Sequence, residues 1–151
     1  SDVCSSDLAC RIEASVNYEN RFANKGVKHK KSITDAVAHS TVQLSYELDA
    51  TGIITPTETG YTAKMVSKYR PQATIIAYAT TSKVARQLNL RWGGQLVNGR
   101  IWDDEPDKAG AAISAALRAG FVEKGDITVV TSGITMSKGN NTNKIQIRTI
   151  D

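Results

Sequence analysis

A short run of hydroxyl side chains around one glycine is the part of this sequence best suited to chemistry. It reads Thr57-Glu58-Thr59-Gly60-Tyr61-Thr62 and lies between an apolar pair, Ile53-Ile54, and an amphipathic helix pattern. The apolar pair predicts the end of a buried strand, so this hydroxyl loop (57–62) would join a strand to a helix N-terminus. Free amides and the positive end of the helix dipole favour an anion at such a place. The hydroxyl loop therefore indicates a site for a phosphate.

The same loop also has a purely structural interpretation. Its spacing matches neither G-x-G-x-x-G nor G-x-x-x-x-G-K-[ST], the two standard nucleotide motifs. Thr59 or Thr62 can equally serve as a helix cap, while Gly60 supplies a turn. On spacing alone, both interpretations stay open.

No set of catalytic residues stands out elsewhere in the sequence. His29 and His39 have no carboxylate or cysteine partner in view, and Cys4 and Cys10 match no zinc or redox spacing. The carboxylates at 103–105 form a cluster, which we interpret as a solvated helix start rather than as a metal site. We therefore predict no catalytic residue, no metal and no cofactor in this chain.

Composition excludes several classes of protein. No apolar run in the 151 residues approaches the ~20 residues that a membrane span needs. The net charge is +4, and the densest basic run, Lys28-His29-Lys30-Lys31, lacks the interleaved aromatic residues that stack on bases. We predict a cytoplasmic protein with reduced cysteines that binds neither nucleic acid nor membrane.

Alternating strand and helix patterns frame the hydroxyl loop. The strand patterns lie at 51–55, 74–78, 95–97, 127–131 and 144–148, and the helix patterns at 32–48, 62–70, 82–90 and 107–119. Continuous apolar runs are typical of strands covered on both faces, whereas the last strand alternates apolar and polar residues as an edge strand does. The sequence therefore predicts an α/β protein folded as a three-layer α/β/α sandwich.

The first helix pattern carries a specific prediction about burial. It begins with Ser32-Ile33-Thr34-Asp35, which is similar to a capping box with Asp in place of Glu. The residues that helical spacing predicts to be buried are Ile33, Ala36, Val37 and Leu44, with Leu48 as a further candidate.

Several linked motifs resemble the C-terminal domain of pyruvate kinase. The first is the hydroxyl loop itself, which continues through Ala63 into Val66-Ser67-Lys68-Tyr69-Arg70-Pro71. The others follow in register as Ile75-Ile76-Ala77, Ala85-Arg86-Gln87-Leu88-Asn89-Leu90-Arg91-Trp92-Gly93, Lys124-Gly125-Asp126 and Thr142-Asn143. The resemblance runs from Ala9 to the last residue, and the number of linked motifs makes it specific.

The resemblance divides the chain into three parts. Residues 1–8 fit no part of the family pattern, and we interpret them as a non-native tail. Residues 9–31 correspond to the helix and linker that leave the catalytic barrel, and residues 32–151 to the C-terminal domain. The family fold is a three-layer sandwich whose mostly parallel sheet of about five strands ends in an antiparallel strand.

The resemblance implies a regulatory and subunit-assembly domain without an active site. In the family, the barrel binds phosphoenolpyruvate, ADP, Mg²⁺ and K⁺, and none of the barrel motifs occurs in this chain. The parent enzyme would convert phosphoenolpyruvate and ADP to pyruvate and ATP, whereas this chain alone would be inactive. We also expect a homo-oligomer formed through this domain.

In many family members this domain binds a phosphorylated effector. The residues that match the phosphate loop are Thr57, Thr59, Gly60 and Thr62, and Tyr61 between them is also assigned to the site. Those in the loop that closes over the ligand are Ser137, Lys138 and Gly139. Glu58 stands where relatives activated by fructose 1,6-bisphosphate can carry a lysine, and Tyr61 where they can carry a basic residue. Because a carboxylate repels a phosphate, a sugar monophosphate or AMP is favoured over fructose 1,6-bisphosphate.

Two alternative functions stay open at this point. The chain could be a pure oligomerisation module whose phosphate loop is unused, or a free-standing small enzyme that acts on a phosphorylated substrate. Retention of the hydroxyl loop favours effector binding over the first alternative. The lack of a nucleophile–base pair in the sequence argues against the second.

Overall fold

The structure is a computed structural model that describes residues 11, 15, 32–79, 94–98, 106–133 and 142–151. Its helices are α1 (Ile33–Glu47), α2 (Tyr61–Ser67) and α3 (Lys108–Arg118). Its strands are β1 (Gly52–Thr57), β2 (Thr74–Ala79), β3 (Gly94–Asn98), β4 (Ile127–Ser132) and β5 (Lys144–Thr149). The helix predicted at 82–90, the tail at 1–8 and the linker up to residue 31 fall outside the described elements.

The strands form one sheet in the order β3-β2-β1-β4-β5. The pairs β1–β2, β1–β4 and β2–β3 are parallel, and β5 runs antiparallel to β4 at the edge. The predicted five-stranded, mostly parallel sheet with an antiparallel last strand is confirmed. The first strand extends beyond its predicted end, because Pro56 and Thr57 still pair with Tyr78 and Ala79 of β2.

Helices cover the sheet on both faces, which gives the three predicted layers. Ile53 and Ile75 pack with α1 and α2, whereas their neighbours Ile54 and Ile76 pack with α3. Consecutive strand residues point to opposite faces, so a strand between two helix layers must be apolar at every position. This requirement explains why β1 and β2 contain continuous apolar runs rather than alternating ones.

The burial prediction for α1 is wrong. The buried residues of this helix are Thr34, Asp35, Ala38, Thr41, Val42 and Ser45. Ile33 is instead 68% exposed, Ala36 is exposed, and Val37 and Leu44 are half-buried. Small side chains let α1 lie close to β1 and β4. The buried hydroxyls of Thr41 and Ser45 donate to backbone carbonyls of the same helix. A polar face can therefore be buried, and apolar side chains remain at the surface.

An ion pair between a buried carboxylate and an exposed lysine joins α1 to the end of α2. Lys68 Nζ lies 2.9 Å from Asp35 Oδ1, and the Asp35 side chain is only 1% exposed, against 40% for Lys68. Tyr69 donates a long hydrogen bond of 3.5 Å to the backbone oxygen of Asp35. Burial, with the hydrogen bond and the negative charge of Asp35, raises the pKa of Tyr69 well above its ordinary value. The phenol therefore stays a neutral donor in the core.

We expect Lys68→Met to lower the free energy of unfolding by about 1–2 kcal/mol at neutral pH, because it removes the Lys68 ammonium group from beside the buried carboxylate of Asp35. The estimate is below that for a fully buried pair, since solvent already screens Lys68. Urea unfolding measures the effect. The matched control is Lys64→Met, an exposed lysine on the same helix, which should change the free energy by less than about 0.5 kcal/mol. Equal effects of the two substitutions would contradict a structural role for the ion pair.

Candidate functional site

The hydroxyl loop lies where the order of the strands reverses. From β1 the chain passes to β2 on one side and later returns to β4 on the other side of β1. In open α/β sheets, this reversal leaves a crevice at the carboxyl ends of the two strands, where ligands bind. The hydroxyl loop begins at the carboxyl end of β1, so it lies at the end of the sheet where such a crevice forms.

Hydrogen bonds inside the hydroxyl loop fix its shape. Thr57 Oγ1 accepts a bond of 2.9 Å from the Gly60 amide, and Thr59 Oγ1 accepts one of 3.4 Å from the Tyr61 amide. Gly60 is the N-cap of α2, has φ of 77° and makes no side-chain capping bond. A residue with a Cβ is strained in this left-handed conformation, so the turn requires glycine.

The last residue of the loop is tied to distant parts of the chain. Thr62 Oγ1 and Thr142 Oγ1 are hydrogen-bonded at 2.8 Å, and the Thr142 amide donates to Thr34 Oγ1 at 3.3 Å. All three threonines are buried. The chain of bonds therefore joins α2, the segment before β5 and the first turn of α1.

The predicted site residues of the hydroxyl loop differ in their accessibility. Thr57, Gly60 and Thr62 are buried, Tyr61 is half-buried, and Thr59 is exposed. The hydroxyls of Thr57 and Thr62 have protein partners, so they hold the loop in place. Thr59 is the hydroxyl of this group that faces solvent, beside the exposed carboxylate of Glu58.

The other predicted site residues, Ser137, Lys138 and Gly139 of the closing loop, lie outside the described residues. So do three features that were not assigned to the site, namely the carboxylate cluster at 103–105, the basic run at 28–31 and both cysteines. Among the residues that are described, no group of three His, Cys, Asp or Glu side chains could hold a metal ion. In the same part of the chain, no helix combines the length and apolar character of a membrane span.

Sequence reasoning missed several residues that support the loop. Thr34 was assigned only to a helix start and Thr142 only to a motif, and no local signal pairs residues that are 80 or 108 positions apart. Thr55 is fully buried on the same face of β1 as Thr57, and its hydroxyl has no hydrogen-bond partner among the described residues. The alternation of Thr55 and Thr57 along the strand was the available signal.

This arrangement defines a doubly wound α/β domain with a glycine-containing loop at its switch point. The model of the family "Pyruvate kinase, alpha/beta domain" matches residues 35–148, which include β1 to β4, most of β5 and most of α1. The chain belongs to the pyruvate kinase alpha/beta domain family.

Individual pyruvate kinases agree with this assignment. The chain is 33% identical over 144 residues to the pyruvate kinase of Clostridium acetobutylicum and 32% identical over 143 residues to that of Geobacillus stearothermophilus. It is 35% identical over 133 residues to that of Bacillus licheniformis. These alignments cover 95%, 95% and 88% of this chain, but only 30%, 24% and 23% of the respective relatives. The chain thus spans between 23% and 30% of the length of these enzymes.

We expect Gly60→Ala to lower the free energy of unfolding by about 1–2 kcal/mol, because alanine is strained at positive φ. Thermal or urea unfolding measures this change. The control is Gly120→Ala, which has φ of 78° and nothing within 4 Å of the added Cβ. It reports the cost of the backbone conformation alone. A Gly60→Ala variant as stable as the wild type would show that the hydroxyl loop does not depend on the left-handed turn.

Proposed function

We propose that this chain is the regulatory and subunit-assembly domain of a cytoplasmic pyruvate kinase and that its hydroxyl loop binds a phosphorylated effector. The observation that carries the proposal is the position of the loop at the switch point of the sheet, the place where open α/β sheets bind ligands. Internal hydrogen bonds preorganise the loop, so little ordering would oppose binding. The family membership of the chain supports the proposal that the parent enzyme is a pyruvate kinase.

The charges around the loop favour a ligand with one phosphate. Thr59 offers an exposed hydroxyl, and Gly60 lets the backbone approach the anion. Glu58 is exposed next to them and repels additional negative charge. The half-buried ring of Tyr61 would contact the sugar or base of the same ligand. A sugar monophosphate or AMP therefore fits better than fructose 1,6-bisphosphate, which carries a second phosphate.

The ligand proposal is tested by calorimetric titration of AMP, ribose 5-phosphate, fructose 1,6-bisphosphate and inorganic phosphate. We expect modest affinity that weakens with added salt, with the monophosphates bound more tightly than the bisphosphate. Thr59→Ala should weaken binding by about 1 kcal/mol because it removes one hydrogen bond to the ligand. Gly60→Val should abolish binding, because its side chain obstructs the approach of the phosphate.

Two controls separate ligand contact from folding. Gly120→Ala carries a comparable backbone strain away from the loop and should bind as the wild type does. Glu58→Gln removes the repulsive charge and should bind the bisphosphate more tightly. If no phosphorylated compound binds, or if binding survives Gly60→Val unchanged, the hydroxyl loop is only a helix cap and the domain serves assembly alone.

The assembly function rests on apolar side chains at one edge of the domain. Ile147 of β5 is 50% exposed, and Ile33 at the start of α1 is 68% exposed. β5 is also an edge strand, whose free backbone groups can pair with another strand. Ile147 pairs with Val129, and Val129 pairs with Ile53 on the sheet face that α1 covers, so Ile147 lies on that face. We define Ile33, Val37, Ile145 and Ile147 as the contact face.

Charges on β5 restrict how two copies can pair about a two-fold axis. A pairing centred on Gln146 would place Lys144 opposite Arg148 of the other copy, which is repulsive. A pairing centred on Ile147 instead sets Ile147 opposite itself and Gln146 opposite Arg148. Opposed apolar residues stabilise an antiparallel pair, and opposed like charges destabilise it. The second register is therefore the one we propose.

We expect a concentration-dependent dimer, measured by light scattering or sedimentation equilibrium. Ile147→Lys should shift the protein to the monomer, because it places two charges opposite each other at the centre of the pairing. Thr51→Lys, an exposed position before the central strand β1, is the control and should leave the dimer intact. A wild-type protein that remains monomeric at high concentration would contradict the assembly function.

We expect no turnover of phosphoenolpyruvate and ADP by this chain alone, even with Mg²⁺ and K⁺ present. The motifs of the catalytic barrel are absent from its sequence, and the chain spans only 23% to 30% of the length of its relatives. A coupled assay for pyruvate formation measures the activity, with a complete pyruvate kinase as the positive control. Pyruvate formation that co-purifies with the chain would refute the assignment of catalysis to the barrel, which this chain does not include.

A further inference from the structure

Three elements of the domain meet at a single buried residue, Thr142. Its hydroxyl is bonded to Thr62 in the first turn of α2, and its amide donates to Thr34 in the first turn of α1. Two residues later the chain enters β5. Thr142 is only 1% exposed, so water does not readily replace either bond.

The first turn of α1 also fixes the other end of α2. Asp35, the neighbour of Thr34, holds Lys68 through the ion pair and Tyr69 through its backbone oxygen. The seven residues of α2 are therefore held at both ends by two consecutive residues of α1, with Thr142 as the intermediate at the loop end. A displacement of α2 must change the bond to Thr142, the ion pair, or both.

The two elements that these bonds join to the hydroxyl loop, α1 and β5, also carry the contact face. Ile33 immediately precedes Thr34, and Ile147 lies in the strand that follows Thr142. Buried polar bonds of this kind have two discrete arrangements, made or broken, because an unsatisfied buried hydroxyl is unfavourable. Such a bond can couple the position of one element to the order of another.

We propose that Thr142 is the positioning residue that couples the hydroxyl loop to β5 and α1, so that ligand binding at the loop changes the order of the contact face. The inference rests on the proposed ligand role of the loop for its biological meaning. The coupling itself is a property of the Thr62–Thr142–Thr34 bonds and can be measured without ligand.

The test is amide hydrogen exchange of the segment 143–149 in the full chain, read by mass spectrometry. Thr62→Val is introduced into the wild type, into Thr142→Val and into Thr128→Val. Thr128 is the matched control, because it is a buried threonine whose hydroxyl also bonds to β5, at the Arg148 oxygen, but it does not contact the hydroxyl loop.

In the wild type, Thr62→Val should accelerate exchange of the segment by about fivefold, the effect of one lost buried hydrogen bond. The same substitution should have no further effect in the Thr142→Val protein and its full effect in the Thr128→Val protein. Thr142→Ser retains the hydroxyl, so exchange of the segment 143–149 in this variant should equal that of the wild type. This comparison keeps the proposal testable if Thr142→Val does not fold. Unchanged exchange in Thr62→Val, or an equal effect in all three backgrounds, would overturn the coupling.

A second arm adds ribose 5-phosphate, AMP or inorganic phosphate at saturating concentration. The added compound should alter exchange at 143–149 in the wild type and in Thr128→Val, but not in Thr142→Val. Calorimetric binding without any change at 143–149 would overturn the inference and leave the ligand function standing. If none of the three compounds binds, the ligand function fails, and the Thr62–Thr142 cycle still decides the coupling.

Discussion

The burial of β1 on both faces is the constraint on which the rest of the structure depends. This strand lies in the middle of the sheet between β2 and β4, with α1 and α2 on one face and α3 on the other. Every residue of β1 is buried, so the strand carries only apolar side chains, glycine, proline and the small hydroxyl side chains of Thr55 and Thr57. The first accessible residues after β1 therefore lie beyond its carboxyl end, and this is the place where the strand order reverses.

Much of the architecture could be predicted because it depends on local patterns. Continuous apolar runs identified β1, β2 and β4, and the alternation of residues 144–148 identified the edge strand. The start of α1 was also predicted correctly, since Ser32 accepts a hydrogen bond from the Asp35 amide. In each case the physical requirement acts within a few residues, and the sequence records it directly.

The errors and omissions arise where distant segments meet. The face of α1 was predicted inverted, because periodicity identifies an apolar stripe but not the surface that covers it. The sheet accepts the side of α1 that carries Ala38, Thr41 and Ser45, and the stripe with Ile33 is left at the surface. The partners of Thr62 were missed for a similar reason, since its bond to Thr142 depends on how the whole sheet closes. Local patterns contain no information on such pairs.

The position of β5 has a consequence for the order in which the domain is made. During synthesis, β1, β2 and β4 emerge before β5, so a nascent chain that has left the ribosome only as far as Ser132 has β4 as its outer strand. Val129 and Val130 then lie in an unprotected edge, which is the kind of surface that pairs with other chains. The hydroxyl of Thr62 also has no bond to Thr142 until the chain is 80 residues longer. The domain reaches its final state only when β5 has been translated, and a pause before that point would expose it to misassembly on the ribosome.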